Sequence, residues 1–202
     1  MVRKMFKGDS MKLSMASNTK TTIEAGLYPA VCYGLIDIGT QENEYQGKVN
    51  YQRKAILKFE LLDEFSEDDK RIVLSQIYNM SLNEMSKFRK HLKGWRGRDF
   101  TDEELSNFEP KKVLGSNVIL NVTINDKGRA IIDSMARYKD DTQESQREQE
   151  YFTLDGFNET LLPDYISEGI ANIIHRSKEW KALEQGGNVE KISHAEKEEI
   201  PF

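Results

Sequence analysis

The sequence predicts a mainly β fold, a five-stranded barrel with one helix between its third and fourth strands. Three observations carry this expectation. The segment from Ser116 to Asp126 places Val118, Leu120, Val122 and Ile124 at every second position, and Asn125-Asp-Lys-Gly128 behind it is a hairpin turn. Tyr51 to Leu62 alternates in the same way, with Ala55, Leu57, Phe59 and Leu61 set against Lys54, Lys58 and Glu60. Between these two lies an amphipathic run with a helix-start signature, Ser81-Leu-Asn-Glu84, in which serine and glutamate can satisfy each other's backbone amides.

The elements follow in order. Residues 1–25 are polar and without a sustained period, which predicts a flexible arm of positive charge. From Gly26 a β-rich run leads to a break at Gly39-Thr40, with Gly34 marking a bend. A polar loop, Gln41 to Asn50, precedes the second strand, Tyr51 to Leu62, and the acidic turn Asp63 to Asp69 leads to a third, Arg71 to about Tyr78. In the helix, Leu82, Met85, Phe88 and Leu92 form one apolar stripe, Lys87, Lys90 and His91 lie opposite, and Gly94 is the expected stop. A second capping box, Thr101-Asp-Glu-Glu104, opens a helical turn before Pro110. The fourth strand turns at Asn125–Gly128 into a fifth through Ile131, Ile132 and Met135. Three strands, a helix and two strands is the order of an OB-fold, a Greek-key barrel whose long first strand bends to join both sheets, and this domain is expected over 26–139. Residues 140–187 read as a charged link and then an amphipathic C-terminal helix, 164–185, with Ile166, Ile170, Ile173 and Ile174 on one face. Residues 188–202 form an acidic tail ending in Ile-Pro-Phe.

Composition narrows the function. The 202 residues are 38% apolar, and the longest apolar stretches fall well short of the roughly 20 residues that span a bilayer. Met1 to Lys7 is basic but no apolar segment follows, so no secretory signal is read and a cytoplasmic protein without membrane contact is expected. One cysteine, Cys32, cannot form an internal disulfide, and His91, His175 and His194 are too scattered for a metal site. The cluster Glu60, Asp63, Glu64, Glu67, Asp68 and Asp69 lacks the spacing of a calcium loop and reads as a solvated turn. Gly47-Lys48 lacks the rest of a phosphate loop, and no nucleophile elbow or metalloprotease helix is present. The expectation is a protein that is not an enzyme, with no metal and no cofactor.

Charge is unevenly distributed. Residues 1–139 carry 23 Lys and Arg against 19 Asp and Glu, whereas residues 140–202 carry 6 against 15, so a basic body bears an acidic tail. Lys87, Arg89, Lys90, Lys93, Arg96 and Arg98 form a run without an acid, and Trp95 sits inside it. Single-stranded nucleic acid asks for this combination, because cations follow phosphates while aromatic rings stack on bases of any identity. A solvated helix face anchored by a core Trp95 is the competing reading. A second set falls where OB-folds bind oligonucleotides: Tyr45, Lys48, Tyr51, Arg53, Lys54, Lys58 and Arg71 on strands two and three and the first loop, with Lys127 and Arg129 in the last. From both sets the candidate DNA-binding residues are Tyr45, Lys48, Tyr51, Arg53, Lys54, Lys58, Arg71, Lys87, Lys90, Trp95, Arg96, Arg98, Lys127 and Arg129.

The tip, Glu198-Glu-Ile-Pro-Phe202, places an aromatic ring and a carboxylate behind acids on a segment too polar to fold alone. Glu198, Glu199, Ile200, Pro201 and Phe202 are therefore the candidate partner-binding residues. This tip resembles the C-terminal peptide of bacterial single-stranded DNA-binding proteins, and the resemblance implies recruitment of replication or recombination proteins. The body resembles the larger OB-type single-stranded DNA-binding proteins of bacteriophages, on Gly39-Thr-Gln41, Ser81 to Leu92 with Trp95-Arg-Gly-Arg98, and Leu162-Pro-Asp-Tyr to Glu179-Trp180. A protein that coats single-stranded DNA, with self-association into a homo-oligomer open to it, is the expected function. A recombination mediator or host-protein-binding factor, and an RNA-binding OB protein, are the alternatives.

Overall fold

The computed structural model describes residues 23–45, 47–140 and 142–186. The expected tail 188–202 and all but the last residues of the arm 1–25 lie outside them. Ile23 is already buried in the core, so the folded body begins before the first strand.

Six strands form one sheet: β1 (Gly26–Tyr45), β2 (Lys48–Phe65), β3 (Arg71–Asn79), β4 (Asn117–Ile124), β5 (Ala130–Arg137) and β6 (Glu150–Phe152). Their order is β3-β2-β1-β4-β5, antiparallel throughout, with β6 added parallel to β1 at Gly34–Ile36. β1 does not end at Gly39. It runs 20 residues and slips register twice, between Cys32 and Gly34 and between Asp37 and Gly39, so both glycines mark bulges that bend a continuing strand. Gly39 is at φ +70°, and a Cβ there would lie 2.5 Å from the Ser177 Cβ, so only glycine admits the packing above it.

Between β3 and β4 stand α1 (Lys87–Arg96), α2 (Asp102–Ser106) and a 3-10 turn, Pro110–Val113. The Thr101–Glu104 capping box forms as expected. The Ser81–Glu84 box does not: Ser81 accepts instead from the Asn83 amide in a turn, and Ser86 caps α1 by accepting from the Arg89 amide. Gly94 is inside the helix, and the stop falls at Gly97, whose φ of 71° turns the chain away. Gly94 serves packing, since a Cβ on it would come within 2.1 Å of the Met135 carbonyl oxygen on β5.

The hydrogen-bonded sheet is not closed into the expected barrel. Among the described residues no ladder joins β3 to β5, and α1 fills the gap. His91, expected on the solvated face, is buried there, and its Nε2 donates to the Asp133 carbonyl of β5 at 2.8 Å while its Nδ1 accepts from the Tyr78 hydroxyl of β3 at 2.8 Å. One neutral imidazole thus bridges the two edges that a closed barrel would pair. Burial lowers its pKa from the ordinary 6.5, opposed by the Asp133 carbonyl, with Lys87 and Asp133 as its charged neighbours. The unfolded chain therefore takes up this proton first, so the stabilisation is complete above about pH 6.5 and is lost as pH falls below it. In urea titrations across that window, His91→Gln is expected to be less stable at pH 8 but to lose less on acidification than the unaltered protein. Parallel slopes would exclude this role.

The sheet is covered on both sides. Inside, Leu35, Leu57, Phe59 and Leu120 pack with Phe88, Leu92 and Trp95 of α1. Outside, Ile36, Ile38 and Ile56 meet Phe152, Leu154, Ile166, Ile174 and Trp180 from the C-terminal segment. Two-sided burial explains the nearly unbroken apolar run from Ala30 to Ile38. The expected single helix 164–185 is two, α3 (Glu168–Ile174) and α4 (Lys178–Glu184), because fully buried Ser177 restarts the chain by capping α4 at the Trp180 amide. Buried Glu179 accepts from the Thr40 amide at 2.7 Å and its hydroxyl at 2.6 Å, which pins α4 to β1.

Candidate nucleic-acid interface

Tertiary contacts divide the candidate cations into two groups. Arg53 points its guanidinium at Asp37, buried in β1, and at Asp155 beyond β6. Burial opposes its charge, but the hydrogen bonds to Asp37 and Asp155 outweigh this and raise its pKa. Lys58 is paired with Glu150 at the start of β6. Arg71 lies 3.7 Å from Glu60 and donates to the Glu144 carbonyl at 3.2 Å. Glu60, expected on a solvated face, is only 1% exposed and accepts from the Gln146 amide at 2.8 Å and the Ser145 hydroxyl at 3.0 Å. Lys58, Glu60 and Arg71 thus hold residues 144–150 against β2 and β3 while Arg53 holds Asp155, so the three cations expected at phosphate are already engaged by acids of this chain.

The basic run on α1 is similarly matched. Arg96 and Arg98 share Glu104, Arg96 also lies 4.1 Å from the Phe100 ring centre, and Arg89 and Lys93 reach Asp99. The Arg98 hydrogen bond holds the Glu104 carboxyl down to about 2, and that from Lys93 holds Asp99 at about 2. The acids that neutralise the run lie just beyond it, where a reading of the run alone overlooks them. Trp95 is 7% exposed, donates to the Asn117 carbonyl at 2.7 Å and packs on Phe59 at 5.7 Å between ring centres. It belongs to the core, where it also forms part of the wall of a hollow beside Arg96 and Glu104.

Lys48, Tyr51, Lys87, Lys90, Lys127 and Arg129 remain on the surface, and half-buried Lys54 donates to Asn43. Among the described residues, none of these cations has a carboxylate within salt-bridge distance. Tyr51 is 49% exposed, with one ring face under the Lys178 ammonium at 3.3 Å. Tyr45 closes β1 opposite Lys48. Lys48 therefore stands at the hairpin beyond one end of β1, while Lys127 and Arg129 stand in the β4–β5 hairpin near the other, since Gly26 pairs with Val122. Asn125 shapes that second hairpin, its Oδ1 accepting from the Lys127 and Arg129 amides at 3.0 Å each. The partner-binding candidates Glu198, Glu199, Ile200, Pro201 and Phe202 lie outside the described residues.

Two hollows flank this surface. One, of about 410 Å³, opens beside Arg53 and Tyr151, and the other, of about 570 Å³, is rimmed by Arg96 and Glu104. Residues missed in the sequence line the first. Asp37, a lone charge between Ile36 and Ile38, was the available sign of a buried partner. No group of His, Cys, Asp and Glu among the described residues is arranged to hold a metal, and no described helix is long and apolar enough to cross a membrane. No known protein family, curated protein or solved structure matches the chain.

Proposed function

We propose that this protein is a non-enzymatic, OB-type binder of single-stranded DNA, acting in the cytoplasm and coating the strand with little sequence preference. One observation carries the reading: bent β1 pairs with β2 from Ala30 to Tyr45 and with β4 from Gly26 to Val31, leaving cation-bearing hairpins at its two ends. OB-folds hold oligonucleotides between these same loops. The C-terminal segment occupies much of the outer face of β1 and β2, so the strand runs along the hairpins and the exposed lysines of α1. The resemblance of the tip supports recruitment of replication or recombination proteins through Glu198, Glu199, Ile200, Pro201 and Phe202, for which Phe202→Ala is the disabling change.

Fluorescence anisotropy with oligo-dT, duplex DNA and oligo-U tests the reading. Single strands are expected to bind far more tightly than duplex, with a log–log salt slope of about −0.7 per phosphate neutralised. Replacing Lys48, Lys127 and Arg129 together by Ala is expected to weaken binding and flatten the slope by about 0.7 for each phosphate no longer held. Equal affinity for duplex, or an unaltered slope in the triple variant, overturns it. Absence of nucleic-acid binding with capture of a protein through the tip transfers the function to the host-factor alternative.

A further inference from the structure

We infer that the 410 Å³ cleft between β1, β6 and the connection from α2 to β4 is a subsite for one nucleobase, an inference that rests on the proposed binding of single-stranded DNA and locates a contact within it. Its volume is in the range of small-ligand sites, about 300–1,000 Å³. Phe88, Phe108 and Tyr151 give it an aromatic wall, while Asp37, Arg53, Thr153 and Asp155 give it a polar side. A flat ring with a polar edge is complementary to that division.

The polar side is built in advance. Asp37 accepts from the Gly39 amide at 2.9 Å and the Leu154 amide at 3.1 Å as well as from Arg53, so its oxygens are occupied and its position is fixed. It holds Arg53 through Nε and Nη2, and Asp155 meets the same Nη2 at 2.8 Å. Among the described residues, Nη1 of Arg53 and Oδ2 of Asp155 make no hydrogen bond, so the polar side keeps a donor and an acceptor for a ligand. Every nucleobase offers the reverse, an N–H next to a carbonyl or ring nitrogen. Two carboxylates against one guanidinium disfavour an anion at this depth, so a phosphate belongs at the mouth. The Lys111 ammonium lies over one face of the Tyr151 ring, 4.7 Å from its centre, which sets a cation against this 38% exposed wall of the cleft.

Photocrosslinking of the full chain to oligo-dT carrying a single 5-iodouracil, with peptide mapping, tests the placement. Crosslinks at Tyr151 or Phe108 are expected. Tyr151→Ala is expected to lower oligo-dT affinity about tenfold without changing the salt slope. Asp155→Ala, at a residue 61% exposed on its side chain and therefore safe for folding, is expected to lower it several-fold. Tight oligo-dT binding with crosslinks confined elsewhere and both variants unaffected overturns the subsite while leaving the proposed function standing. If oligo-dT does not bind at all, the proposed function fails, and thymidine 5′-monophosphate decides the cleft alone: NMR shifts at Tyr151 and Phe108 support it, and unshifted signals overturn it.

Discussion

Trp95→Ala is expected to cost about 3–5 kcal/mol of stability while leaving DNA affinity unchanged in the molecules that remain folded. The indole packs on Phe59 inside the sheet, and its N–H supplies the Asn117 carbonyl of β4. Removing it opens a cavity at the contact between α1 and the sheet and leaves that carbonyl without its donor. Urea unfolding measures the loss, and anisotropy at a urea concentration where the variant is still folded measures the affinity. Trp95→Phe, which retains most of the volume but not the N–H, is expected to fall between. A variant of normal stability with DNA binding reduced more than tenfold would place the indole on a base and contradict its burial.

Asp37→Ala is expected to be comparably damaging, at about 3–5 kcal/mol, the usual cost of removing one partner of a buried ion pair. Its carboxylate joins three parts of the chain: the Gly39 bulge of β1, Arg53 of β2 and the Leu154 amide after β6. Its loss leaves the largely buried Arg53 guanidinium with only the exposed Asp155. Much of the cost is thus the unpaired charge, and the double variant Asp37→Ala/Arg53→Met is expected to be more stable than Asp37→Ala alone. Guanidinium chloride titrations of the single and double variants supply the comparison. A loss below about 1 kcal/mol for Asp37→Ala would show that water already satisfies these groups.

What was legible depended on how local the determining physics is. Alternation along β4, the Asn125–Gly128 hairpin and the Thr101–Glu104 box are settled by residues within a few positions and form as read, whereas β2 forms as a strand but is buried on both faces, Ile56 and Glu60 included. The helix boundaries were a closer competition between equivalent signals: Ser81 and Ser86 can both cap, and Gly94 and Gly97 can both stop. Packing chose Ser86 and Gly97, because Gly94 was needed for the approach to β5. His91 falls in the same group. At 100° per residue it sits beside Lys87, yet the space between β3 and β5 draws it inward, where Tyr78 and Asp133 satisfy both ring nitrogens.

The candidate site was less legible because a cation's sequence position carries no information about the carboxylate that faces it. Lys48, Lys127 and Arg129 are on hairpin tips, where chain curvature keeps other segments away, and they remain exposed as expected. Arg53, Lys58 and Arg71 lie within strands that the C-terminal segment crosses, and they take partners from it. By itself the sequence determined the mainly β class, the order of three strands, helix and two strands, and the uneven charge, since periodicity, turn chemistry and composition are properties of the chain. Only the tertiary structure decided that α1 replaces a β3–β5 ladder, that β1 is buried on both faces, and which cations are neutralised. Glu60 and the Gln146 amide are 86 positions apart, and only folding sets the short distance on which a hydrogen bond depends.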